Sequence, residues 1–261
     1  MSALLLQACY AVVIGSALHS VLGPALGLPT AAPYGRWMTT KVFGIESYLI
    51  NARLAWFVLE MPNLLIAAAC WHYGEPACKN SMPNKLMLGM FVLHYINRTL
   101  IYPLRMKSSS TPMPLVLFFT ASLYTSANAY LQSYPLSTTP YREEWLLDPR
   151  FVAGAILFLF GFMVNVHSDG ILLNLRKPGE EKKYKIPRAG GMFEFVSGAN
   201  FLGEIVEWLG YSLACWSLHA AAFGVSTMFN IGPRAHQHHR WYHEKFEEYP
   251  KHRKALIPFL W

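Results

Sequence analysis

The chain has 261 residues, 53% of them hydrophobic and only 14% charged, where an ordinary soluble domain carries roughly a quarter of charged residues. That balance excludes a water-facing globular surface, and the formal net charge of +7 does not make the chain a nucleic-acid module: its bases lie in loops and a tail between apolar blocks, without zinc-finger spacing or an RNA-recognition motif. The four cysteines (Cys9, Cys70, Cys78 and Cys215) are scattered and include no CxxC pair, which argues against a disulfide framework and a thiolate metal site.

In chain order, apolar blocks run over residues 4–28, 54–71, 86–104, 114–131 and 151–166, and a longer one over 193–231. A membrane span needs roughly 20 apolar residues, so the last block is long enough for two. The first block lacks a basic region before it and reads as a retained span. Turn-rich segments at 29–36, 74–84, 107–112, 133–149 and 177–191 connect the blocks. The tail holds Arg234, Arg240, Lys245, Lys251, Arg253 and Lys254, and the 177–191 loop with Arg176 adds Lys182, Lys183, Lys185 and Arg188. Both belong on the cytosolic side by the positive-inside rule, so the chain must cross an even number of times between them. Arg36, Lys41, Arg53, Arg105 and Lys107 then also fall inside. The expectation is an all-α polytopic membrane protein of about seven transmembrane helices, with the N-terminus outside and the C-terminus cytosolic. It forms a single domain over 1–261.

Ionisable groups at bilayer depth cost roughly 2.5–3.5 kcal/mol each on insertion scales and mark functional positions. Glu60 lies among Trp56, Phe57, Val58, Leu59 and Met61 in the second block. It is read either as half of a structural ion pair or as the lining of a ligand cavity. In the third block Tyr95, Arg98 and Tyr102 share a helical face, beside His94 and Asn97. Arg98 must face protein or water. Asn165, His167 and Asp169 end the fifth block, where Asp169 could also form a helix-end ion pair with Arg176. Asn200 and Glu204 stand at i, i+4, with Glu207 three residues on, and Gly198 and Gly203 allow a backbone or a flat ligand to approach closely. The tail cluster of His236, His238 and His239 matches no metal-ligand spacing. Arg and His there suit phosphates, and Tyr and Trp suit stacking on a base or ribose. The chain has no GxGxxG, Walker, GxSxG or HExxH motif.

Two long stretches, NLRKPGEEKKYKIPRAGGMFEFVSGANFLGEIVEWLGYSLACWSL and the closing RAHQHHRWYHEKFEEYPKHRKALIPFLW, resemble the C-terminal half of steroid 5α-reductases. AWFVLEMP and HYINRTLIYPLR resemble that family's N-terminal motifs. The resemblance runs from about residue 33 to the end. It implies a seven-helix membrane enzyme that reduces the 4,5 double bond of 3-oxo-Δ4-steroids with NADPH, steroid-contacting motifs lying mainly in 50–105 and the cofactor half mainly in 160–261. By the same resemblance Glu60 and Tyr95 are catalytic and hold the C3 carbonyl oxygen, with Trp56 beside the steroid. Asn165, Asp169, Arg176, Tyr184, Asn200, Glu204, His238 and Tyr242 match positions lining the NADPH site, and no metal is implied. One departure is Leu59, where animal and bacterial members often carry glutamine; this leaves the steroid preference open. Within the superfamily, reductases of polyprenols and of trans-2-enoyl-CoA are rival readings, and an isoprenylcysteine methyltransferase is a more distant one. A seven-span transporter or receptor is the rival from another class. The implied partners are a steroid and the lipid bilayer, with no nucleic acid, and the chain is expected to be a monomer. Its membrane is the endoplasmic reticulum if eukaryotic and the inner membrane if bacterial.

Overall fold

A computed structural model describes residues 2–22, 35–42, 44–107, 110–175, 184–188 and 190–261. Its long elements follow the apolar blocks. Helix α1 is Ser2–Leu22. Two small antiparallel pairings follow it: β1 (Lys41–Val42) with β2 (Ile45–Glu46), and β3 (Leu49–Ile50) with β4 (Met113–Pro114). These short strands are additions to the all-α expectation. Helix α2, Ala52–Tyr73, starts where the Asn51 side chain accepts hydrogen bonds from the backbone N–H groups of Arg53 and Leu54, satisfying donors that a helix start leaves unpaired. The short α3 (Pro76–Asn80) leads to α4, Met82–Ile96. One turn of π-helix, Asn97–Ile101, then joins α4 to α5, Tyr102–Arg105. The remaining helices are α6 (Leu115–Thr138), α7 (Pro149–Asn174), α8 (Ala199–Cys215) and α9 (Leu218–Lys245). The apolar block at 193–231 therefore divides, at Trp216 (φ 45°) and the Ser217 cap of α9.

Three of these helices are long and apolar enough to cross a membrane, over Ala3–Leu22, Ala52–Tyr73 and Pro149–Asn174. Their outer faces expose large apolar side chains: Leu4 is 74% exposed, Leu65 63% and Ile156 63%. Lipid, not water, suits such faces. Helix α6 is less apolar because its inward face carries buried Thr125, Asn128, Gln132 and Ser133. Polar side chains also join helices across the bundle. Ser16 and Ser20 of α1 donate to Asn230 Oδ1 of α9 (3.2 and 2.5 Å), and Ser226 of α9 donates to the Val13 carbonyl at 3.0 Å. Hydrogen bonds of this kind hold helices together where no water competes.

The tightest seam is between α7 and α8. Gly154 and Gly161 on α7, and Gly203 and Gly210 on α8, repeat at a spacing of seven and face each other. A Cβ on Gly154 would lie 2.6 Å from the Gly210 carbonyl oxygen, and one on Gly161 2.6 Å from that of Gly203. Only glycine lets two backbones approach so closely. Of the two glycines expected to admit a close neighbour, Gly203 meets the backbone of Asn165, while Gly198 meets Ala235 and the Ala255 carbonyl.

The last residues of the chain fix the start of α8. Lys254 N–H donates to the Phe195 carbonyl, while Ser197 and Gly198 N–H donate to Lys254 and Ala255, forming a parallel bridge between Val196 and Lys254. Beneath it, Ser197 Oγ lies 2.6 Å from both His239 Nδ1 and the Tyr249 hydroxyl. Burial pushes the His239 imidazole down to about 4, with His243, His236 and Lys254 acting in the same direction. An unfolded histidine takes its proton near 6.5. Between those values the unfolded chain binds more protons, so this contact contributes stability above about pH 6.5 that is lost as the pH falls towards 4. The protection of the Ser197 and Gly198 amides against hydrogen exchange, relative to their intrinsic rates, is expected to fall over that window, and His239→Gln is expected to flatten the dependence.

Candidate active site

The site is built around Glu60 on α2. Pro62 supplies no N–H to the Val58 carbonyl and crowds the preceding turn. Next to this break side chains reinforce the helix: Thr125 Oγ1 donates to the Leu59 carbonyl at 2.6 Å, while Thr99 Oγ1 and Asn63 Nδ2 donate to the Glu60 carbonyl at 3.3 and 3.2 Å. The turn bearing Glu60 is thus pinned by α6, by the π turn and by its own helix. Its carboxyl is buried, 6% exposed as a residue. Asn63 Nδ2 donates to Glu60 Oε2 at 3.1 Å, and Glu60 Oε1 faces Arg98 Nε at 3.8 Å.

Tyr95 lies at the end of α4, packed on Phe91 and Trp208 with ring centroids 4.6 and 6.0 Å away. Its hydroxyl is in the electrostatic neighbourhood of Glu60, Tyr124, Glu204 and Asn128. Beyond it the helix widens into the π turn, where Tyr102 N–H reaches back to the Asn97 carbonyl just before Pro103. Such single π turns recur at functional sites. Here it carries Arg98, whose guanidinium lies over Trp56 (4.6 Å) and Tyr102 (5.0 Å). Arg98 also reaches Asp169 of α7 at 3.4 Å and Glu204 of α8 at 4.0 Å. Asp169, for which a helix-end pairing with Arg176 was an alternative, thus meets Arg98; Arg176 itself lies outside the described residues. Asn165 Nδ2 donates to the Asn200 carbonyl at 3.0 Å, linking α7 to the first turn of α8.

The structure therefore brings Trp56, Glu60, Tyr95, Asn165, Asp169, Asn200 and Glu204 into one neighbourhood. The remaining described residues, Tyr184, His238 and Tyr242, lie apart from it in aromatic surroundings. His238 packs edge-on against Trp37 (4.6 Å) and Phe201 (5.5 Å), and Tyr184 lies edge-on to Trp241 (5.0 Å). Tyr242 is 4% exposed and stacks on Tyr249 at 5.1 Å. Phe201, next to Asn200 in sequence, connects His238 to that neighbourhood. Among the tail histidines, His236 stacks on Trp261 and His239 joins Ser197. Two further residues near the site, Asn63 and Thr125, escaped sequence reading: the i, i+3 spacing to Glu60 is a signal that marks Asn63, whereas Thr125 meets the Leu59 carbonyl only once α6 packs on α2.

Several buried polar atoms here have no partner among the described residues: Asn165 Oδ1 and Ser168 Oγ on α7 and Asn63 Oδ1 on α2. Unpaired polar atoms in an apolar interior are costly. They fit a ligand that brings its own donors and acceptors, such as a carboxamide. Behind the site, His94 Nδ1 lies 2.8 Å from Glu207 Oε1, both fully enclosed. The pair ties α4 to α8 one residue from Tyr95. Glu207→Leu leaves His94 unsatisfied and is expected to cost about 1–3 kcal/mol, read as a lower melting temperature in detergent. Glu207→Gln, which keeps a polar partner, is expected to recover most of it.

A family model described as 3-oxo-5-alpha-steroid 4-dehydrogenase matches residues 111–261, more than half of the chain. The 3-oxo-5-alpha-steroid 4-dehydrogenase 1 of Bos taurus is 49% identical over 88% of this chain and 88% of its own. The chain belongs to the 3-oxo-5-alpha-steroid 4-dehydrogenase family. The similarity extends to type 2 relatives, with the protein from Sus scrofa 45% identical and that from Homo sapiens 44% identical, each over 95% of this chain and 96% of its own. As a member of the steroid 5α-reductase family the chain is an oxidoreductase acting on CH–CH groups. The type 1 and type 2 matches extend beyond the family-model segment, and the carboxyl-rich neighbourhood itself draws on both halves of the chain.

Proposed function

We propose that this chain reduces the 4,5 double bond of 3-oxo-Δ4-steroids to the 5α-dihydro products with NADPH. One observation carries the reading: Glu60, buried in α2 and held through one oxygen by Asn63, shares its neighbourhood with Tyr95 and, through Arg98, with Asp169 and Glu204. NADPH, when bound, supplies the hydride that adds to steroid C5. Negative charge then builds on the C3 oxygen as an enolate, and a proton taken up at C4 completes the dihydrosteroid. Glu60, in its protonated form, and the Tyr95 hydroxyl donate hydrogen bonds to that oxygen. Those bonds strengthen as the charge grows, so they favour the transition state over the ground state. Trp56 offers a flat apolar face to the steroid, and the surrounding helices exclude water, which strengthens each donor.

Asn165, Asp169, Asn200 and Glu204 hold the cofactor near its hydride-donating end, with Asn165 Oδ1 and Ser168 Oγ, unpaired among the described residues, suited to a carboxamide. Arg176, Tyr184, His238 and Tyr242 serve its phosphate and base end, where the tail is basic and aromatic. The reading includes one domain over 1–261, seven membrane spans with the N-terminus outside and the tail cytosolic, and a monomer in the endoplasmic reticulum or inner membrane according to host. Titration of the purified protein with NADPH, followed by cofactor fluorescence, is expected to show saturable binding. It should weaken when Asp169→Asn is introduced. No binding by the parent chain would overturn the cofactor assignment.

A further inference from the structure

Arg98 belongs to neither half of the site alone. It touches Trp56 and Glu60 of α2 on one side and Asp169 of α7 and Glu204 of α8 on the other. Its side chain is 17% exposed, and a cation so enclosed in an apolar bundle must be matched by nearby anions. Three carboxylates from three helices approach it at 3.8, 3.4 and 4.0 Å. None of these pairs is short, so the guanidinium is divided among them, with the faces of Trp56 and Tyr102 limiting its swing. The π turn that carries it is a second, independent local feature at the same place.

We infer that Arg98 is a positioning residue that couples the two half-sites, so that filling the steroid half tightens the cofactor half. This rests on the reading given above of which half holds which ligand. A ketone oxygen offers only lone pairs, so Glu60, ionised beside Arg98 in the free protein, takes up one proton from solvent as the steroid binds and meets that oxygen as the neutral acid. Glu60 then no longer balances the guanidinium. Arg98 rests more fully on Asp169 and Glu204 and holds both carboxylates in fixed orientation for the cofactor. The planar fork of five N–H donors lets one side chain serve partners on both sides. A lysine ammonium keeps the charge without the fork. Because the coupling is a binding free energy, it is reciprocal: cofactor tightens steroid by the same factor.

The test is equilibrium binding and requires no turnover. The NADPH dissociation constant is measured on the full chain in detergent or nanodiscs, with and without a saturating 5α-reduced 3-oxo-steroid, which has no 4,5 double bond left to reduce. In the parent chain the steroid is expected to tighten NADPH by roughly 5-fold or more, the lower end of ordinary coupling. In Arg98→Lys that ratio is expected to fall towards one, whatever happens to the two separate affinities. If Arg98→Lys does not fold, Glu204→Gln, which removes one of the carboxylates Arg98 is to settle on, is expected to reduce the ratio. A merely structural Arg98 would weaken both ligands and leave the ratio intact. A parent ratio near one, or a ratio that survives in the folded variant, overturns the inference. Steroid-independent NADPH binding leaves the cofactor reading standing while removing the coupling, whereas no NADPH binding at all removes both.

Discussion

Replacing Glu60 by Ala is expected to lower steroid turnover by about 10²–10³-fold, the usual cost of losing one donor to a developing oxyanion. Glu60→Gln keeps the shape and a neutral donor and is expected to lose at least tenfold. Tyr95→Phe removes only the hydroxyl and should cost a similar factor. The contacts that pin this turn do not depend on the carboxyl alone. Thr125 and Thr99 bind the carbonyls of residues 59 and 60, and Pro62 shapes the helix. The three variants should therefore insert and fold, with unchanged melting temperature to within a few degrees. The loss should appear mainly in kcat, because the bonds in question gain strength only as charge builds on the C3 oxygen. Turnover near that of the parent chain in both Glu60→Gln and Tyr95→Phe would remove these residues from the chemistry.

The second large effect is structural. Gly161→Ala is expected to destabilise the protein by about 3 kcal/mol, at the upper end of the usual cost of overpacking. The atoms that meet the added methyl are backbone atoms of Gly203 and Glu207 and cannot rotate aside. The helices must separate instead, and they carry Asn165 and Asp169 on one side and Asn200 and Glu204 on the other. Cofactor binding should weaken together with thermal stability. Gly89→Ala on α4 is the matched control: a Cβ there meets nothing within 4 Å. Exchanging glycine for alanine in a helix ordinarily gains roughly 0.5–1 kcal/mol. If both substitutions behave alike in a melting experiment, the α7–α8 seam does not limit stability.

Much of this organisation is legible in the sequence. Apolar blocks mark the long helices because burial in lipid leaves little room for charge, and the basic loop and tail imply the division of the last block that occurs at Trp216 and Ser217. Glu60 stands out because a carboxyl among Trp, Phe, Val, Leu and Met must either be paired or line a cavity. The π turn was not legible: the sequence places Tyr95, Arg98 and Tyr102 on one regular face, whereas the extra residue before Pro103 changes the phase beyond Ile96. The division of labour within α8 was not legible either. Glu204 and Glu207 look like one polar face, yet Glu204 turns to Arg98 and Glu207 to His94. Which carboxylate meets which cation depends on helix–helix geometry, and spacing within one helix carries no information about that. The pairing of the closing residues with 195–198 is likewise a contact between distant segments, with no local pattern to announce it.

In the proposed reaction a hydride reaches steroid C5 from the reduced cofactor while Glu60 and Tyr95 hold the C3 oxygen. This reaction is tested most directly by incubating membranes containing the chain with testosterone or progesterone and NADPH deuterated at nicotinamide C4, then analysing the product by chromatography and mass spectrometry. The expected product is a 5α-dihydrosteroid with deuterium at C5, formed by the parent chain and lost in Glu60→Ala. A protein that binds the labelled cofactor and returns both steroids unchanged, or that delivers the label to another carbon, would contradict it.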